Sequence, residues 1–218
     1  MNPVVAIDGP SASGKSTVAR RLAQRLGFVY VDTGAMYRAV TWRLIHEGID
    51  PASTDRVVAF AEGMTFRAII EAGATRLECN GPIEPDALRK PEVSSAVALV
   101  ARVPEARKRL VAEQRRLRSA APLVMEGRDI GSVVFPDTPY KFYLDASPEV
   151  REARRHQQGE KDAIDRRDDI DRTRAVAPLR IAADAHVIDS SRLSIDEVVA
   201  AIFADLEVAG LGCGSNTN

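Results

Sequence analysis

What the chain has little of narrows the field first. It has two cysteines, Cys79 and Cys213. Two are too few for a disulfide framework and fit a reducing compartment. Its formal net charge is −1. No global basic field argues for nucleic acid as a partner. No apolar run approaches the length of a membrane span. Met1-Asn2-Pro3 is followed at once by core-like residues, which is not the pattern of a secretory leader. No internal repeat and no heptad run is visible. The expectation is a cytoplasmic monomer with no membrane or nucleic-acid partner.

What is present is ordinary in bulk and specific in one place. The chain has 218 residues, 45% hydrophobic and 28% charged. That suits one α/β domain with insertions. The specific place is Gly9-Pro10-Ser11-Ala12-Ser13-Gly14-Lys15-Ser16-Thr17, a complete G-x-x-x-x-G-K-[ST] phosphate-binding loop. Pro3-Val4-Val5-Ala6-Ile7 before it has the residue types of a buried parallel strand. After it, Val18, Leu22 and Leu26 make one helical stripe, while Arg20, Arg21, Gln24 and Arg25 face out. Gly27 ends that helix. Backbone N–H groups at the helix start attract an anion, and the glycines let the chain wrap close to it. Lys15 then sets a charge on the outer phosphates, and the Ser16 hydroxyl is placed to ligate Mg²⁺. A chance glycine-rich turn would not have both flanks correct.

The rest of the chain alternates. A short strand, Phe28-Val29-Tyr30-Val31, meets Asp32-Thr33-Gly34 and then a helix to about Glu47. Tyr37 and Arg38 sit in that helix's first turn, at the sheet edge where α/β proteins bind ligands. Position alone leaves open whether they are surface or site residues. A helix follows over about 54–62. Residues 64–90 read as an antiparallel insertion around Gly73 and Asn80-Gly81. Two helices, about 92–102 and 105–119, are divided at Pro104. Pro122-Leu123-Val124-Met125 is a buried strand running into Glu126-Gly127-Arg128-Asp129, at the same edge as the loop. Tyr140-Lys141-Phe142-Tyr143-Leu144 and Ala185-His186-Val187-Ile188-Asp189 are two further strands. Ser147-Pro148-Glu149 opens a helix. Ser194-Ile195-Asp196-Glu197 is a capping box for the last one. The fold class expected is α/β. It has a P-loop parallel sheet core with helices on both faces, a small antiparallel insertion and an arginine-rich lid. Residues 1–210 form one domain, 154–170 the lid, and 211–218 a disordered tail.

The lid is read from charge. Arg151, Arg154 and Arg155 lead into a stretch without core residues. Arg167, Asp171 and Arg174 then recur at i, i+4 and i+7, so two guanidiniums flank a carboxylate on one face. That trio can grip phosphate, although a solvated helix face is the usual meaning of such a run. Lids exclude water from phosphoryl transfer. No Asn-Lys dipeptide is present, so the base-reading N-K-x-D of GTPases is missing. No strand ends in the Asp-Glu of an ATP-driven motor. A small-molecule kinase is the better reading, since phosphoryl transfer is mainly positioning and charge neutralisation.

Four stretches together carry a resemblance. They are Asp8 through Thr17, Asp32-Thr33-Gly34-Ala35-Met36-Tyr37-Arg38, Glu126 through Pro136, and Asp168 through Leu179. In this order they resemble bacterial cytidylate kinases, over about residues 3 to 205. The resemblance implies a nucleoside monophosphate kinase fold with ATP, Mg²⁺ and CMP or dCMP as ligands, and ADP with CDP or dCDP as products. It implies an ATP site at Gly9, Pro10, Ser11, Ala12, Ser13, Gly14, Lys15, Ser16 and Thr17. It implies a CMP site at Thr33, Tyr37, Arg38, Arg107, Arg128, Asp129, Arg167, Asp171 and Arg174. Arg38 and Arg128 would hold the acceptor phosphate; Asp129, Arg107 and Arg174 would read the cytosine edge; Asp171 would meet the sugar. The charge pattern alone gives Arg174 to phosphate, and the resemblance moves it to the base. Lys15, Arg128, Arg154 and Arg155 would be catalytic. The lid is shorter than in longer family members. Ala98 stands where the family pattern implies a serine, so one hydrogen bond of about 1 kcal/mol to the base is lost.

Overall fold

A computed structural model describes residues 1–157 and 180–211. The main sheet has five strands in the order β2-β5-β1-β6-β7, all parallel. These are β1 (Val4–Asp8), β2 (Val29–Asp32), β5 (Leu123–Gly127), β6 (Tyr140–Asp145) and β7 (His186–Asp189). β1 lies at the centre, and its five residues are all buried. Val4 and Ala6 point into one core with Met36, Leu110 and Leu123. Val5 and Ile7 point into a second core with Leu22, Leu144 and Ile202. A strand buried on both faces needs apolar residues at every position, which is why the run does not alternate with polar ones.

Helices cover both faces. α1 (Lys15–Leu26) and α7 (Ile195–Val208) supply the second core. α2 (Thr33–His46), α4 (Pro91–Val100) and α5 (Pro104–Ala120) supply the first. α3 (Thr54–Gly63) joins them through Val57 and Ala61. α6 (Pro148–Gln157) follows β6. The capping box at Ser194 and Glu197 is present in full. The antiparallel pair is β3 (Phe66–Glu71) and β4 (Ala74–Cys79). Ala72 and Gly73 both have positive φ, as a two-residue hairpin turn requires. That turn meets the edge of the main sheet, where the Tyr30 N–H donates to the Gly73 carbonyl.

The reading from sequence differs in detail. A 3₁₀ turn at Pro85–Arg89 and a π-helical turn at Ile130–Val134 carry no periodic signature and were not expected. Leu211, assigned to the tail, packs against the second core. The charged stretch read as a lid, with Arg167, Asp171 and Arg174, lies outside the described residues beyond Gln157, as do residues 212–218. Among the described residues no helix is long and apolar enough to cross a membrane.

Candidate active site

Parallel strands end together, so β1, β2, β5 and β6 bring their following loops to one edge. A cavity of about 540 Å³ opens there. At one end is the phosphate loop. Gly9 starts it with φ +149°, and a Cβ there would lie 2.0 Å from the Leu144 carbonyl oxygen. Only glycine lets the chain pass β6 at that point. Gly14, at φ 94°, caps α1 without a side chain and leaves the first helical N–H groups turned toward the cavity. Lys15 is buried, and its Nζ donates to the Pro10 carbonyl at 2.5 Å and the Ser13 hydroxyl at 3.4 Å.

α6 braces this loop. Arg151 is buried and donates from Nε to the Ala146 carbonyl and from Nη1 to the Ser11 carbonyl, at 3.1 and 3.2 Å. Arg155, one turn on, donates to the Ser11 hydroxyl at 2.9 Å. Arg154 donates to the Ala12 carbonyl at 3.5 Å and to Ser190.

The other end is built from side chains of distant segments. Asp32 caps α2 by accepting from the Ala35 N–H at 2.8 Å and also accepts from Arg38 Nη2 at 2.9 Å. The Thr33 hydroxyl donates to the Glu126 carbonyl at 2.7 Å. Gly127 leaves room for that contact, since a Cβ would sit 2.6 Å from Thr33 Oγ1. Arg107 from α5 pairs with Asp129 past the end of β5, and both side chains are buried. The Arg107 guanidinium also lies 5.8 Å from the Tyr37 ring centroid. α4 contributes Ser94, Val97 and Ala98 to the wall, and its C-cap Ala101 adds to it.

Carboxylates join the two ends. Glu126 is buried, and the Tyr30 hydroxyl donates to its Oε1 at 3.1 Å. Burial first, and then the charge of Asp32, push its carboxyl above the ordinary range. Burial likewise drives the Tyr30 phenol up. Asp8 accepts from the Ile130 and Gly131 N–H groups, both at 2.8 Å. Burial pushes its carboxyl up to about 6, against the pull of those two hydrogen bonds. Asp8 therefore ties the end of β1 to the π-helical turn that follows Arg128 and Asp129.

Comparison with known proteins gives the chain its family. A family model described as cytidylate kinase matches residues 5–207. The chain belongs to the cytidylate kinase family. It is 44% identical over 208 residues to a cytidylate kinase of Corynebacterium efficiens, covering 90% of each chain. It is 46% identical over 214 residues to one of Pelotomaculum thermopropionicum, covering 93% of this chain and 95% of that one. Among solved structures, a gluconokinase from Sinorhizobium meliloti 1021 aligns with a TM-score of 0.53 at 16% identity, covering 95% of this chain and 93% of that one. That likeness concerns the fold alone.

Measured against the family expectations, most of the named residues come together. Ser11, Ala12, Gly14, Lys15, Ser16, Thr17, Thr33, Tyr37, Arg38, Arg107, Arg128, Asp129, Arg154 and Arg155 all line the cavity. Gly9, Pro10 and Ser13 belong to the loop but stand behind its lining. Tyr37 is buried, which removes the surface reading left open for it. Three groups carry weight that sequence reasoning did not assign: Asp8, Arg151 and Ser190. Arg151 had one available signal, its four-residue spacing from Arg155 on a helix. Asp8 and Ser190 had none, because their partners lie far off in sequence.

Proposed function

We propose that the cavity transfers the terminal phosphoryl group of ATP to the phosphate of CMP or dCMP, giving ADP and CDP or dCDP. One observation carries the reading: a single cavity is lined both by the phosphate loop, with Lys15 and Ser16, and by Arg38 and Arg128 from the other end. It sets acceptor-side cations beside the loop that takes the donor's phosphates. In-line transfer needs that closeness more than it needs any covalent chemistry from the protein.

The roles follow from the charges. Lys15 and the loop N–H groups bind the outer phosphates of ATP. Arg154 and Arg155 neutralise the group in transit. Arg38 and Arg128 hold the CMP phosphate. Arg107 and Asp129 meet the base: the carboxylate accepts from the cytosine amino group, and the guanidinium donates to the ring acceptors. Uracil offers an acceptor where cytosine has its amino donor, so it meets Asp129 with like polarity. Thr33 and Tyr37 close the same pocket. Arg167, Asp171 and Arg174 belong to the CMP site on the family resemblance.

Mg²⁺ fits the donor set in a limited way. Among the described residues no cluster of three or more His, Cys, Asp or Glu side chains could hold a metal alone. An ion here would take the Ser16 hydroxyl together with phosphate oxygens and water. Bound so, it would draw charge from the phosphates. In this reading the protein acts as a monomer, in a cytoplasmic setting that supplies ATP. The lid and the 64–90 insertion are parts of that one domain.

The test is ADP release from Mg-ATP with CMP, dCMP, UMP, AMP, GMP and dTMP in parallel. Release led by CMP and dCMP supports the reading. Release equal with UMP removes the role of the Arg107–Asp129 pair in base choice. No release above background with any acceptor removes the kinase reading.

A further inference from the structure

Ser190 follows β7, and it does not line the cavity. It is 2% exposed. Its backbone N–H donates to the Asp145 carbonyl at the end of β6, at 2.8 Å. Its hydroxyl has one hydrogen and two carbonyls within reach, Ser13 in the phosphate loop and Asp145, each at 2.9 Å. The same hydroxyl accepts from Arg154 Nη1 at 3.1 Å, and the Ser190 carbonyl accepts from Arg154 Nη2 at 2.8 Å. Arg154 does line the cavity. Its guanidinium is thus gripped by two oxygens of one buried residue, and that residue is tied to the loop.

The geometry leaves the arginine fit for work. The contacts to Ser190 and Ala12 engage both Nη1 hydrogens and one on Nη2. Nε–H and the second Nη2 hydrogen remain for a ligand. The neighbouring Arg151 and Arg155 bond to Ser11. A long side chain that swings freely must be ordered at every turnover. One held in place needs no such reorganisation as charge develops.

We infer that Ser190 is a positioning residue for phosphoryl transfer: its hydroxyl and carbonyl fix the Arg154 guanidinium at the rim of the phosphate loop. This rests on the proposed role of Arg154 in the transfer. Ser190 acts only through that arginine and touches no substrate.

A double-mutant cycle tests it. Turnover and both KM values are measured for the unaltered chain, Ser190→Ala, Arg154→Ala and the double variant, with melting temperatures alongside. Ser190→Ala should lower kcat about tenfold, with the KM for CMP within about twofold. In the Arg154→Ala background the same change should leave kcat where it is. Ser190→Thr keeps the hydroxyl and should restore most of the rate. Equal losses in both backgrounds would mean that Ser190 merely supports the loop, and the inference falls. An unaltered kcat in Ser190→Ala overturns it as well. If Arg154→Ala is itself as fast as the unaltered chain, the role of Arg154 fails and takes the inference with it. Should Ser190→Ala not fold, Ser190→Cys carries the same cycle, because a thiol keeps the volume and weakens the hydrogen bonds.

Discussion

The two ends of the cavity are built by opposite means. The loop end is one contiguous run, and backbone does most of its work: Gly9 slips past the Leu144 carbonyl and Gly14 frees the start of α1. The acceptor end is assembled from side chains of α2, α4, α5 and the turn after β5. A backbone site tolerates side-chain changes at most of its positions and depends heavily on a few. A side-chain site spreads its dependence over partners that fail in pairs. Each end should therefore break in its own way.

The sharpest break is at Lys15. Its ammonium is the one side-chain charge inside the loop, and no backbone group can replace it. Lys15→Ala should cut kcat roughly 10³-fold while the melting temperature stays near that of the unaltered chain. Steady-state assays and a thermal melt read both. Near-normal turnover would show that the loop's N–H groups suffice without the ammonium.

The acceptor end should break differently. Asp129→Ala leaves the buried Arg107 guanidinium without its carboxylate. Uncompensated buried charge is costly, on the order of 3–5 kcal/mol of stability. The kcat/KM for CMP should fall roughly 10²-fold, while the KM for ATP moves about twofold at most. Stability and base recognition would then fail together, unlike the Lys15 case. Loss of ATP affinity with CMP affinity intact would contradict the assignment.

The same contrast explains what could be read from the chain. β1, the phosphate loop and α1 were readable because their signals are local: an apolar run, fixed glycines and one helical stripe. The cap at Asp32 and the box at Ser194 were local too. The Arg107–Asp129 pair was not, since 22 positions separate its members and no periodicity links them. It entered only through family resemblance. Asp8 shows the limit most clearly. Its donors lie 122 and 123 positions away, in a π-helical turn that has no pattern of its own. Gly9 was read as a phosphate-loop glycine, yet its demand for glycine comes from a strand 135 residues later, through the close pass at Leu144.

Asp8 gives a third test, because it stitches the two ends together. Its folded pKa of about 6 lies above its ordinary value of 3.8. The folded state therefore binds a proton more tightly than the unfolded state. The stability this confers is complete below about pH 4 and is lost as pH rises through 6, about 3 kcal/mol at most. Asp8→Asn does not titrate. Unfolding free energies of both chains at pH 7.5 and pH 4.5 should differ more in favour of Asp8 at the lower pH. A gap that is flat with pH would mean the carboxylate stays ionised across the whole range.

The smallest effect belongs to Ala98, and it tests how finely the acceptor end is tuned. Ala98 lines the cavity on α4, in the helix that runs toward Arg107 through the turn at Val103. Ala98→Ser adds a hydroxyl to that wall and no large volume. If the hydroxyl reaches the base, the preference for CMP over UMP should rise by up to about fivefold, the worth of one hydrogen bond of about 1 kcal/mol. Turnover with saturating CMP should hardly change, since Arg38 and Arg128 still place the phosphate. An unchanged ratio would leave base choice to Arg107 and Asp129 together with Arg174, the residues that the family resemblance sets against the cytosine edge. Among the described residues, the acceptor end would then depend on the Arg107–Asp129 pair much as the loop end depends on Lys15.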